Sequence, residues 1–183
     1  MIANNIHSSN PIKAYAWIII TCNGLFLLYK YILQLFPSVI SQDLMQTFHL
    51  HGVGLGNLAA TYFYSFLVTQ LFSGYLLDRF SPRLLTTAAI ALCAVGIGWF
   101  SQAHTLLEAE CARILMGIGV AFATVSYLKQ ASVWFPSHRL AFVSGLLATA
   151  VGIGALAGQS PLAHLVAQAG WRNALLDCAF LGA

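Results

Sequence analysis

Charge is what this sequence has least of. Lys, Arg, Asp and Glu make up 7% of its 183 residues, as eight cations and five anions, while hydrophobic residues make up 59%. A soluble domain carries about 25% charged residues, so a water-facing surface cannot be assembled here. The apolar stretches must face lipid or one another. A net charge of +3 is too small to suggest a nucleic-acid partner. The cysteines are few and scattered: Cys22, Cys93, Cys111 and Cys178 fall in different apolar segments, with no C-x-x-C pair. They read as small buried hydrophobes, and no metal site or disulfide framework is expected. No G-x-x-x-x-G-K-[ST] loop occurs, which removes support for ATP drive. No H-E-x-x-H, no G-x-S-x-G and no pair of intramembrane acids occurs either, so an enzyme is not expected. Nothing in the sequence implies a cofactor.

What is present is apolar length. Six segments stand out, at about 14–40, 53–77, 84–103, 107–135, 140–162 and 171–183, each bounded by polar or turn residues. The first is too long for a signal-peptide core of about 7–15 residues, and no small-x-small cleavage site follows it, so it reads as a retained helix. Five segments reach the roughly 20 residues that cross a hydrocarbon core. The sixth, opening at Trp171, shows only about 13 residues and reads as incomplete. Barrel strands would alternate over about ten residues, and these do not. In lipid the backbone must then be satisfied as helix. The expectation is an all-α, multi-pass protein of the bacterial inner membrane. Residues 1–13 form a tail and residues 14–183 a bundle. Lys13, Arg79, Arg83 and Arg139 fall on one side of that topology, against Arg113 and Arg172 on the other. By the bias of Lys and Arg toward the cytoplasm, the N-terminus lies inside.

The connection between the second and third segments reads G-Y-L-L-D-R-F-S-P-R, from Gly74 to Arg83. It resembles the G-x-x-x-D-R-x-G-x-R signature of the major facilitator superfamily, matching at Gly74, Asp78, Arg79 and Arg83. Ser81 replaces the usual glycine, and Leu84 stands where a further basic residue is common. Arg113, Gly117 and Gly119 resemble the family's R-x-x-x-G-x-G on its fourth helix, and Gly170-Trp171-Arg172 its usual opening of the sixth. Pro37-Ser38-Val39, Leu128-Lys129 and Trp134-Phe135-Pro136 are similar to stretches in the phagosomal nutrient transporters of intracellular bacteria. The resemblance implies the first six-helix half of a twelve-helix transporter, with the C-terminal half absent from this chain. Its cavity lies between halves, and access alternates by rocking one half on the other. The partners are the lipid bilayer, a small solute (an amino acid, nucleoside or organic anion) and a proton as coupling ion. The alternatives are a truncated inactive product and a six-helix subunit that needs a partner.

Polar residues inside the segments are the candidate solute path. At 100° per residue, Asn23, Lys30 and Gln34 share one face of the first helix. A lipid-facing Lys30 would cost at least about 2.5–3.5 kcal/mol, so a wet cavity is favoured over snorkelling to the outer headgroups. Asn57, Thr61 and Tyr64 share a face of the second helix, as solute contacts or interhelical glue. Arg113 joins the path, with a local ion pair to Glu110 as its bland reading. Asp177 is the candidate coupling carboxylate. Lys129 reads as snorkelling past Trp134 at the inner end. Asp78 reads as a gating latch for the N–H groups of another helix start, with Arg79 and Arg83 pairing with it and with lipid phosphates. Gly117 and Gly119 are packing positions on the fourth helix. On the fifth, Gly154 and Gly158 form one small-residue face, and Gly145, Ala148, Gly152 and Ala155 another.

Overall fold

The computed structural model describes residues 11–182, so the expected 1–13 tail lies outside them except for the three residues that open the first helix. Among the described residues eight helices follow one another: α1 (Pro11–Val39), α2 (Ser41–Thr47), α3 (Gly52–Arg79), α4 (Pro82–Gln102), α5 (Leu106–Trp134), α6 (Ser137–Ala157), α7 (Ser160–Ala169) and α8 (Trp171–Gly182). Four apolar stretches, 15–39, 82–102, 106–134 and 137–169, are long and apolar enough to cross a membrane. At 28 residues α3 has the length too. Its hydropathy is diluted by Asn57, Thr61, Ser65, Thr69, Gln70 and Ser73.

Two boundaries depart from the expected ones. The first segment is followed by an additional short helix, α2, which buries Leu44. The fifth segment does not end near Leu162. A two-residue break at Gly158–Gln159 is followed by α7, where Pro161 occupies the first turn. Proline is tolerated there because the first N–H groups of a helix have no intrahelical acceptor. Gly170, at φ 79°, ends α7 in a conformation that suits glycine.

The helices are arranged around α5. It packs along α3 and α4 and, less extensively, along α1. α6 leans on α1, and α8 packs on α4 and α7. Thr105 and Glu108 start α5 with reciprocal side-chain to backbone bonds, which satisfy N–H groups at both positions. Close approach needs glycine at two places on α5. A Cβ at Gly117 would lie 2.5 Å from the Tyr62 carbonyl oxygen of α3, and one at Gly119 2.7 Å from the Ala89 carbonyl oxygen of α4. Gly154 of α6 and Gly158, just past its end, rest on the backbone of Leu28 and Ile32 of α1. The other small face of α6, at Gly145 and Gly152, meets nothing within 4 Å among the described residues.

Candidate functional site

A polar seam runs between α1 and α5. Asn23 is buried, donates to the Ile19 carbonyl (2.8 Å) and accepts from Gln130 Nε2 (3.2 Å). Two turns further along, Lys30 is only 6% exposed. Its Nζ donates to Thr124 Oγ1 at 3.1 Å and sits 4.7 Å from the Phe66 ring centroid and 5.5 Å from that of Tyr31. No acid answers it: the one ion pair among the described residues is elsewhere. Gln34, one turn beyond, is half-buried. Two of the expected path residues, Asn23 and Lys30, are therefore held in one seam. Thr124 and Gln130 complete it. They carry the mark that singles out Asn23, a lone polar group in an apolar helix, which is costly in lipid unless partnered.

The remaining expected residues separate. Thr61 and Tyr64 line a cleft of about 380 Å³ between α3 and α5, with Ser65, Val68, Thr69, Ile114 and Ile118. Asn57 is exposed near the start of α3, and Asp177 is exposed on α8, which packs against α4 and α7. Arg113 does not pair with Glu110. It is fully buried, donates from Nη1 to the Leu33 carbonyl of α1 (2.9 Å), and lies over the rings of Tyr62 (4.5 Å) and Phe36 (5.1 Å). Among the described residues its Nε and Nη2 have no partner. The reason for the departure is direction: a helical side chain three residues from an acid can still be aimed at a neighbouring helix, and here two aromatic faces and a free carbonyl draw it there.

The signature turn is also wired differently from the expected self-pairing. Asp78 takes its ion pair from Lys129 of α5 (2.8 Å), and the same ammonium donates to the Leu77 carbonyl. Lys129 therefore does not snorkel past Trp134. It serves the end of α3, where carbonyls lack intrahelical donors and the helix dipole favours a cation. Arg79 donates to the Tyr75 hydroxyl (3.1 Å), and Arg83 to the Tyr15 hydroxyl of α1. Tyr15 in turn meets Trp134 edge-on, with centroids 5.5 Å apart. The basic residues of the turn are thus tied to tyrosines, and its acid to a lysine on the central helix. At the other end of the bundle Arg172 donates to the Ser101 and Ala103 carbonyls (2.7 and 2.9 Å), closing the end of α4.

Long apolar helices around a buried, cation-bearing seam, closed at one end by a charged turn, define a multi-pass membrane protein. The model of the Major Facilitator Superfamily matches residues 18–183, and the chain belongs to that superfamily, whose members carry small molecules across membranes and are not enzymes. It is 28% identical to the uncharacterized transporter YybO of Bacillus subtilis, over 76% of this chain and 32% of that protein. It is 26% identical to a probable L-galactonate transporter of Escherichia coli, over 79% of this chain and 32% of that one. It is 29% identical to the nitrate/nitrite transporter NrtP of a Picosynechococcus species, over 61% and 20%. The chain thus spans about a third or less of the length of these relatives.

Proposed function

We propose that this chain forms the first six-helix half of a secondary transporter that carries a small anion across the bacterial inner membrane by alternating access. The N-terminus and the Gly74–Arg83 turn face the cytoplasm, and Lys30 attracts the anion. The observation that carries this reading is Lys30 itself: an ammonium 6% exposed, held by a threonine hydroxyl and an aromatic face, with no carboxylate beside it among the described residues. An uncompensated cation in a membrane span is costly, and an anionic ligand that enters and leaves removes that cost for part of the cycle. Asn23, Thr124 and Gln130 supply neutral hydrogen-bonding groups along the same seam. L-galactonate and nitrate, for which two of the relatives are named, are both anions, which favours an anion over a nucleoside. The open Gly145–Gly152 face of α6 suits close packing against a second half.

The test is uptake by cells expressing the full-length gene product, screened with carboxylates, sulfonates and nitrate. Lys30→Ala should raise the KM for an anion at least tenfold, or abolish uptake, at normal membrane abundance. Unchanged uptake by Lys30→Ala would return Lys30 to a packing role and end the anion reading.

A further inference from the structure

We infer that Arg113 and Pro37 form one device: Arg113 supplies the hydrogen-bond donor that Pro37 removes from α1, and so pins the outer part of the helix that carries Lys30. Pro37 lies inside α1. Proline has no N–H, so the carbonyl four residues earlier loses its helical donor. That carbonyl belongs to Leu33. It is the group that Arg113 Nη1 reaches, at 2.9 Å from α5. A buried carbonyl without a donor is destabilising in a place that water cannot reach. Here the missing donor comes from a different helix.

The surroundings are built around this bond. Leu33, Phe36 and Arg113 are all fully buried. Phe36 from α1 and Tyr62 from α3 cover the guanidinium. Gly117, one turn along α5, keeps the α3 backbone close. The geometry has a mechanical consequence. Apolar side chains alone let two helices slide by small steps in register, whereas one charged donor on one particular carbonyl does not. Lys30 lies three residues before Leu33 and Gln34 one residue after it. The register of Lys30 against Thr124 therefore depends on the Arg113–Leu33 bond. Arg113 is in this sense a positioning residue, acting on the seam through the backbone of α1. This part of the inference rests on the anion reading given above, but the brace itself does not.

The test is a double-mutant cycle with Pro37→Ala. Alanine at position 37 restores the intrahelical donor to Leu33, because the backbone there is already helical. Arg113→Gln alone should raise the KM for the transported anion about tenfold, which corresponds to about 1.4 kcal/mol, with a smaller change in maximal rate. Pro37→Ala alone should be mild. The double variant Pro37→Ala, Arg113→Gln should recover most of the loss. A double variant no better than Arg113→Gln would overturn the device and leave Arg113 with a different task. A second measurement needs no transport. Spin labels at Ser38 and Ile114, in a cysteine-free background, should give a broader distance distribution in Arg113→Gln, narrowed again by Pro37→Ala. Unchanged distributions overturn the brace. If Lys30→Ala leaves uptake intact while the distributions behave as stated, the anion reading fails and the brace stands. Should Arg113→Gln fail to accumulate, Arg113→Met takes its place in the cycle, and rescue of accumulation by Pro37→Ala becomes the supporting result, its absence the overturning one.

Discussion

α5 and α6 are neighbours in sequence and opposites in structure. In its most apolar window, 56% of α5 is buried, against 11% for the stretch spanning α6 and α7. Yet the second stretch is the more apolar of the two. Apolarity here marks the helix that faces out, and the helix with Arg113, Thr124, Ser126, Lys129 and Gln130 is the one that goes in. In water the order would be reversed. In lipid the acyl chains are as apolar as leucine, so burying a leucine gains little, while small residues allow backbone approach and polar residues require partners. α5 has both: Gly117 and Gly119 close on α3 and α4, and its polar groups reach α1 and α3. α6 has one working face, where Gly154 and the capping Gly158 meet α1, and one open face.

The comparison breaks first at glycine. Gly117→Leu would drive a side chain into the Tyr62 carbonyl and Ser65 of α3, where backbone cannot give way. A loss of about 3 kcal/mol is expected, enough to lower the unfolding temperature in detergent sharply. Gly158→Leu, which meets the α1 backbone at 3.1 Å, should cost about 1–2 kcal/mol. Gly152→Leu meets nothing and should leave the melting temperature of this half unchanged. If transport by the full-length gene product is lost in Gly152→Leu at unchanged stability, the open face has a partner. Equal destabilisation by Gly117→Leu and Gly152→Leu would refute the contrast between the two helices.

Much of this was open to reading in the sequence, for a physical reason. Composition and segment length report on the solvent, and the solvent here is lipid, so the all-α class follows from them. The signature turn between Gly74 and Arg83 and the glycines of α5 report on local geometry, and so the family is visible as well. Side-chain partners are different. Asp78 has two arginines within five residues, yet its ion pair comes from Lys129, 51 positions away. Arg113 has Glu110 three residues off, yet donates to Leu33, 80 positions away. Sequence proximity says which groups can meet, and helix packing decides which do. The carbonyl freed by Pro37 was a legible signal, because a proline in a membrane helix always leaves an acceptor four residues earlier that needs a donor. The continuation into α7 was not, because Pro161 reads equally as the end of one helix and the first turn of the next.

The smallest expected effect divides the two bonds of Lys129. Asp78 is exposed, with 77% of its side chain open to solvent, while that of Lys129 is 28% exposed. An exposed ion pair contributes about 0.2–1 kcal/mol, so Asp78→Asn should change the stability of the bundle by less than about 1 kcal/mol. Lys129→Met should cost more, about 1–2 kcal/mol, because it also removes the donor from the Leu77 carbonyl at the end of α3. Thermal unfolding of Asp78→Asn, Lys129→Met and the double variant gives the coupling directly. Equal costs for the two single variants would mean that the carboxylate, and not the helix end, is what Lys129 serves. Transport should order the variants the other way. If Asp78 latches this half to a second one, Asp78→Asn lowers uptake severalfold at normal abundance although it barely touches stability. Uptake that follows stability in all three variants would reduce Asp78 to a local partner of Lys129. A large transport defect on a small stability change is the result that makes the turn a gate.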